Sequence, residues 1–311
     1  MYKTQARYIT KKKRIRLNGI FYAIISSSSF GFSPLFSLGL LAAGLSNFDV
    51  LSYRWAVAAI ILIIYAAVKG KSLKISTFDE LWKVILLSLL RSVTSITLLL
   101  GYANVASGIA STINYMYPMV VALCMMLFFR ERKSAVNIIS ILIAIFGVYL
   151  LASGDGLKVE GGNTTLGLIC SIISAFSFAA YYILMKQTKA DKIEVVKFTT
   201  WIMLLSAVYF IICGFIFDGK ITIVSDIRLW GYIAGLGLWS TMVSNFTGVK
   251  AVRRIGPTMT SILGALQPLT AVILGVLFLN EHLGMRTIIG ICIIMVTVSF
   301  IVAHQHTQKH H

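Results

Sequence analysis

The residue best placed to do chemistry in this chain is Arg91, near the middle of an apolar run with Ser88, Thr94 and Ser95 at helical spacing around it. A guanidinium at the centre of a bilayer costs roughly 2.5–3.5 kcal/mol on insertion scales, so this side chain must face protein or water. Two readings stand. In one, its planar pair of donors holds a solute carboxylate or phosphate. In the other, backbone carbonyls and tyrosine hydroxyls satisfy a structural cation. Comparable polar stripes recur at Thr241, Ser244 and Asn245, at Ser111, Asn114, Tyr115 and Pro118, and at Ser261, Gly264, Ala265 and Pro268. Together they predict a central cavity. Its candidate solute-binding residues are Arg91, Thr94, Ser95, Asn114, Tyr115, Tyr181, Trp239, Thr241, Asn245 and Gln267.

Other residues carry plainer expectations. Arg54 stands a few residues from Asp49, at the end of its apolar run, and reads as a structural or snorkelling cation. Pro118 and Pro268 each remove a backbone donor and predict helix kinks, as fixed packing features or as carbonyls freed towards a cavity. Ser26 to Ser29, with Ser174 and Ser177, suit close helix approach or contact with solute, and close packing is the commoner use. Tyr115, Tyr117, Tyr181 and Trp239 offer faces for stacking or packing. Glu131 and Glu281 sit at helix junctions, where they are expected to cap the next helix or pair with loop cations. Gly231 and Gly235 form a GxxxG pair that hints at helix contact.

Absences narrow the chemistry. No Asp or Glu stands in the middle of an apolar run, so a proton-carrying carboxylate is not expected there. Those runs hold no His and no paired carboxylates, which argues against an integral-membrane enzyme. Neither a charge ring nor a filter loop suggests a channel. Cys124, Cys170, Cys213 and Cys292 all fall in apolar runs without metal-ligand spacing, and are expected to be small buried residues. No metal and no cofactor is expected.

The elements that must position these residues follow from composition. Apolar residues make up 58% of the 311, charged residues 13%, and mean hydropathy is +0.85. Stretches of about 20 apolar residues recur, each long enough to cross a hydrocarbon core. The spans predicted are 18–41, 48–68, 80–101, 106–129, 135–153, 163–185, 195–217, 228–250, 257–279 and 284–303. The first is too long for a signal-peptide core, and Ala42-Ala43-Gly44 is a poor cleavage site. The net charge of +17 sits in short clusters such as Lys11, Lys12, Lys13, Arg14 and Arg16, which is topogenic charge rather than a nucleic-acid face. With ten spans, twenty-two of the 28 Lys and Arg residues fall on one side and only Lys158, Lys220, Arg228 and Arg286 on the other. That bias predicts a multi-pass protein of the cytoplasmic membrane with both termini in the cytoplasm. Residues 1–17 form a basic tail and 304–311 a His-rich one, containing His304, His306, His310 and His311. The expected partners are the lipid bilayer and a small molecule, with no nucleic acid; a homodimer stays open.

The chain also repeats. Shifted by 150 residues, Pro118 falls on Pro268, Glu131 on Glu281, Ser111 on Ser261 and Thr97 on Thr247. A shift of 148 places Gly19 on Gly167, Ser26 on Ser174, and Ser29-Phe30 on Ser177-Phe178. Each half, 18–153 and 163–303, thus holds five crossings. Five is odd, so the halves enter the membrane from opposite sides. The predicted fold is an all-α polytopic membrane protein of ten transmembrane helices in two inverted five-helix repeats, an arrangement that gives a secondary transporter two alternating gates.

With Tyr53-Arg54 opening the second span, Ala103 to Pro118, Gly248 to Pro268, the terminal Glu131 and Glu281, and Gly147 or Gly290 in the helix after, the chain resembles the EamA branch of the drug/metabolite transporter superfamily. The likeness covers nearly the whole chain. It implies an exporter or exchanger of small metabolites such as amino acids, with a cavity lined mainly by helices 1, 3, 4, 6, 8 and 9. Cationic drugs and sugar- or nucleotide-type metabolites are the alternative cargoes. The chain departs from an even duplication: no second-half Arg matches Arg54, and Thr241 stands opposite Arg91.

Overall fold

The computed structural model describes residues 2–128, 135–153, 159 and 161–308, and fewer side chains than that. The side chains of Lys11, Lys12, Lys13, Arg14, Glu131, Lys133, Lys158, Ser261, His304, His306, His310 and His311 lie outside the described residues. All regular structure described is helical. The first half comprises α1 (Tyr2–Gly31), α2 (Ser33–Ala42), α3 (Asn47–Val68), α4 (Phe78–Asn104), α5 (Ser107–Asn114), α6 (Tyr117–Phe128) and α7 (Ala135–Ala152). The second comprises α8 (Thr164–Gln187), α9 (Val195–Cys213), α10 (Ile227–Ala234), α11 (Ser244–Leu263), α12 (Leu266–Phe278) and α13 (Met285–Gln308). Wide π turns extend α9 over Gly214–Asp218 and join α10 to α11 over Gly235–Val243. The described residues thus hold thirteen α-helical segments of an all-helical fold.

Five stretches among the described residues are long and apolar enough to span a bilayer: Arg16–Ala42, Asn47–Val68, Phe78–Asn104, Thr164–Gln187 and Val195–Asp218. Leu142–Leu151, Leu266–Phe278 and Met285–Phe300 are shorter apolar helices. Local chemistry sets the starts. Ser46 and Asp49 form a reciprocal capping box at α3, while Thr77, Asn163 and Glu194 each accept a first-turn N–H at α4, α8 and α9. The breaks precede prolines. Phe32 interrupts the first crossing two residues before Pro34, Tyr115 and Met116 separate α5 from α6 just before Pro118, and Gly264 and Ala265 separate α11 from α12 before Pro268. A proline ring clashes with the carbonyl four residues back, which is where the ladder fails.

One expected boundary is absent. Residues 251–256 were predicted to connect two spans, yet α11 stays helical from Ser244 to Leu263. The helix carries Pro257 within it, where the fixed φ of about −65° is helical but one ladder N–H is missing and the carbonyl four residues back is crowded. In the first half the matching position is held open by the extended dihedrals of Val105.

The halves interdigitate reciprocally. α1 packs on α11 and α4 on α8, α3 lies on α9, α5 on α12, and α7 on α13. Small residues make the close approaches. Ser26 and Ser244 donate to each other's backbone carbonyls at 2.8 Å, and a Cβ on Gly248 would lie 2.8 Å from Ser26 Oγ. Gly147 and Gly290 meet across α7 and α13, each of their Cβ positions close to the other's carbonyl oxygen. Gly235 lies against the Phe36 ring, whereas nothing approaches Gly231, so only one member of the GxxxG pair makes a contact. Many interior hydroxyls, among them Thr94, Thr97, Thr112, Ser171 and Thr247, return a hydrogen bond to the carbonyl four residues earlier. The cysteines correct an expectation: only Cys170 is buried, Cys124 and Cys213 are partly so, and Cys292 is exposed. A thiol is small enough to sit on the outer apolar face at no cost in lipid.

Candidate functional site

The two repeat-equivalent phenylalanines, Phe30 on α1 and Phe178 on α8, both reach Arg91 on α4. The guanidinium carbon lies 4.5 Å from the Phe178 ring centre and 6.0 Å from that of Phe30. Trp55 and Tyr181 add faces at 5.9 and 5.8 Å. Arg91 is only 5% exposed, and its hydrogen bond to a side chain runs from Nη2 to Asn245 Oδ1 at 3.1 Å. A guanidinium carries five N–H donors, so among the described residues most of its capacity remains for what enters the adjoining space. Ring contacts of this kind contribute about 0.5–2 kcal/mol each. They offset part of the cost of holding an unpaired cation there, without neutralising it.

Arg54, read from the sequence as a structural or snorkelling cation, is buried in the bundle rather than reaching its surface. It is 3% exposed, and donates from Nε to Thr241 Oγ1 at 2.8 Å and from Nη1 to Ser33 Oγ at 3.0 Å. It shares the faces of Phe30 and Trp55 with Arg91, at 5.5 and 5.7 Å. Asp49 is engaged elsewhere, accepting from the N–H of Ser46 and, at 2.8 Å, from that of Thr222. The reason is geometric: five residues separate Asp49 from Arg54, which puts them well over a quarter-turn apart round α3.

Arg91 lines a cavity of about 370 Å³. Its inner wall is aromatic, with Phe30, Tyr117, Phe178, Tyr181 and Tyr182 facing the space. The Tyr117 and Tyr182 rings stack at 5.3 Å, and Phe178 lies 4.6 Å from Tyr117. Ser26, Ser27, Ser244, Asn245, Thr260 and Gln267 provide the polar lining. The cavity continues to Lys186, Asp191 and Arg253 at the Lys-rich end of the bundle. There Lys186 Nζ meets Asp191 Oδ2 at 2.7 Å, and Arg253 donates to the Ile193 carbonyl at 3.0 Å.

At the opposite end, hydrogen bonds tie the helix ends to one another. Glu281 Oε1 accepts the Ser107 N–H at 2.6 Å, Asn104 Oδ1 accepts that of Asn163 at 2.9 Å, and Tyr53 donates to the Thr222 carbonyl at 2.9 Å. Glu281 therefore caps α5 in the other half of the chain, rather than its own next helix or a loop cation. Burial pushes its carboxyl above the usual glutamate range, and the Ser107 and Gly108 N–H groups oppose that shift.

Of the ten candidate residues, Arg91, Tyr181, Asn245 and Gln267 line the cavity. Asn114 stands one layer behind, donating to Ser174 Oγ at 2.9 Å and accepting from Gln267 Nε2 at 3.4 Å. Thr94 and Ser95 are buried one turn beyond Arg91, towards the end opposite the Lys-rich one. Tyr115 is fully buried, and its hydroxyl reaches the Ile262 carbonyl at 3.4 Å. Thr241 is likewise buried, spent on Arg54 and on the Leu236 carbonyl. Trp239 is a correction: it is 45% exposed on the outside of the bundle. Residues two apart on a helix do not share a face, so when Thr241 turned inward Trp239 turned out. Phe178 and Tyr182 were missed. The run Phe178, Tyr181, Tyr182 has the i, i+3, i+4 spacing of one helix face, which was the available signal.

The model of the EamA-like transporter family matches residues 17–153 and 165–303. An uncharacterized transporter of Archaeoglobus fulgidus is 25% identical over 263 residues, 83% of this chain and 89% of that protein. An uncharacterized transporter of Haemophilus influenzae is 23% identical, covering 88% of this chain and 89% of its own length. A crystal structure superposes with a TM-score of 0.65 over 96% of this chain and 98% of the other, at 14% identity, which is a likeness of fold alone.

Proposed function

Because this chain belongs to the EamA-like transporter family, we propose that it moves a small metabolite across the cytoplasmic membrane by alternating access, as an exporter or exchanger. One observation carries the reading: a cavity reaches Arg91 from the Lys-rich end, while the Lys-poor end is tied together by hydrogen bonds of Glu281, Asn104 and Tyr53. The charge bias makes the Lys-rich end cytoplasmic and both termini with it. On that assignment the structure is inward-open, the state that loads cargo for export.

The reciprocal packing supports two inverted five-helix repeats. α1 against α11 and α4 against α8 exchange roles when the halves are swapped, whereas α3 on α9 and α7 on α13 map onto themselves. A rocking motion between such halves would open the closed end and shut the other. Arg91, Asn245, Gln267 and Tyr181 are the cargo contacts in this reading, and Pro118 and Pro268 the hinges. The two buried guanidinium groups disfavour the cationic-drug alternative, because the carboxylate buried among the described residues, Asp49, is taken by the N–H groups of Ser46 and Thr222 rather than by either of them.

Counterflow in proteoliposomes tests the carrier reading. Preloading with an accepted solute should accelerate uptake of its labelled form, with saturation. Flux that rises linearly with concentration, without counterflow, would replace the carrier with a channel.

A further inference from the structure

We infer that the cargo is an aromatic or similarly flat apolar acid without an ammonium group. The inference rests on the cavity at Arg91 being the cargo site, and goes further by fixing what that cavity accepts.

Charge comes first. Among the described lining residues Asp191 is the one acid, and it stands at the mouth, paired with Lys186 at 2.7 Å. The deep half holds Arg91, with Arg54 behind it across Phe30 and Trp55. Neither guanidinium is in an ion pair among the described residues. A carboxylate entering there meets free N–H donors and a positive potential from both. An ammonium meets the same potential with the opposite sign.

Deep in the cavity an ammonium would meet neutral acceptors and no carboxylate among the described lining residues. Asn245 commits Oδ1 to Arg91 and donates Nδ2 to the Thr241 carbonyl at 2.7 Å. Ser26 donates to the Ser244 carbonyl, and Ser244 to that of Ser26. The Phe178 face nearest Arg91, which would attract a cation, already holds the guanidinium at 4.5 Å. The hydroxyl oxygens of Ser26, Ser27 and Ser244 and the Gln267 carbonyl can still accept, but neutral acceptors are a weak substitute for a carboxylate.

Shape supplies the second half. Tyr117, Tyr181 and Tyr182 present adjoining ring surfaces beside Phe178, and Met185 adds a polarizable edge. A flat ring can stack on this wall while its acid group lies against Arg91. The space of about 370 Å³ suits one ring with a short acid arm. A zwitterionic aromatic amino acid would fit the wall and satisfy Arg91, but would bury an unpaired ammonium beside two cations.

The test is a matched ligand set, titrated calorimetrically onto the purified full-length protein in nanodiscs. 3-Phenylpropionate keeps ring and carboxylate, phenylalanine adds the ammonium, phenethylamine keeps ring and ammonium only, and propionate lacks the ring. 3-Phenylpropionate should bind at least about tenfold tighter than each of the others, since an unpaired buried charge, or the lost burial of a whole ring, exceeds the energy of a tenfold step. Arg91→Gln should erase the preference for 3-phenylpropionate over phenethylamine, and Arg91→Lys should retain part of it. Should Arg91→Gln fail to fold, the wild-type ranking alone decides. Equal or tighter binding of phenylalanine or phenethylamine, or no binding of any of the four, overturns the inference. In proteoliposomes 2-phenylethanesulfonate, which does not cross lipid as a neutral acid, is the flux probe and should show saturable counterflow. Saturable counterflow of an amine or amino acid instead would keep the carrier reading and sink this one.

Discussion

Glu281 Oε1 lies 2.6 Å from the backbone nitrogen of Ser107, with Gly108 N at 3.5 Å from Oε2, so a second-half side chain caps a first-half helix. Two otherwise orphan N–H groups at the start of α5 are satisfied this way, and the helix dipole favours the carboxylate. Removing such a cap costs about 0.5–2 kcal/mol. Glu281→Ala should therefore lower the melting temperature and increase labelling of a cysteine at Asn104 by an impermeant reagent added from the Lys-poor side. Unchanged labelling would mean that this contact does not hold the closed end.

The same contact has a pH signature. Burial raises the Glu281 carboxyl above its ordinary value. A raised acid favours the fold in its protonated form, so its contribution is complete below the unfolded value and is lost as pH rises through the folded one. The stability of wild type relative to Glu281→Gln should thus fall from acidic towards neutral pH. A rising difference would show that the two N–H bonds outweigh desolvation.

Solute access separates residues that the sequence grouped together. Gly264 lines the cavity, whereas Asn114 is 1% exposed behind it and bonded to Ser174. An accepted solute should protect a cysteine at Gly264 from a permeant thiol reagent by about tenfold, as expected at a solute concentration well above its Kd. A cysteine at Asn114 should react slowly with or without solute. Tyr181→Leu should weaken apparent affinity about tenfold, the size of one lost ring contact. Trp239→Leu should leave it unchanged. The opposite pattern would place the cargo on the outer face of the π turn.

Orientation can be read with impermeant labels. Cysteines at Lys71 and Lys189 should react only from the cytoplasm, and those at Asn47 and Lys220 only from outside. One exception would move a helix. Several would overturn the inverted arrangement.

The α1–α11 contact is tight enough to fail on a single atom, because a Cβ at Gly248 would stand 2.8 Å from Ser26 Oγ. Gly248→Val should cost about 1–3 kcal/mol through overpacking, seen as a lower melting temperature in detergent. Gly231→Ala, where nothing lies within 4 Å of the added carbon, should melt as wild type does. Equal behaviour of both would mean that helices α1 and α11 separate more easily than their packing indicates.

What the sequence determined by itself was whatever depends on composition and period. Apolar runs of bilayer length made the helices, Pro118 and Pro268 marked two of their breaks, and the duplicated Pro and Glu exposed the repeat. Arg91 was legible because a charge in an apolar run must find an interior partner. The tertiary structure decided who those partners are. Phe30 and Phe178 align in the repeat, yet nothing local says that both will close on Arg91 from opposite halves. Arg54 looked peripheral by position along α3, but rotation of that helix in the bundle turned it towards Ser33 and Thr241. The same rotation logic, applied to the π turn, sent Trp239 outward. Helical spacing fixes which residues share a face. Only the packing of one helix on its neighbours decides where that face points, because the energy that sets it lies in contacts between residues more than a hundred positions apart, such as Arg91 with Asn245 and Glu281 with Ser107.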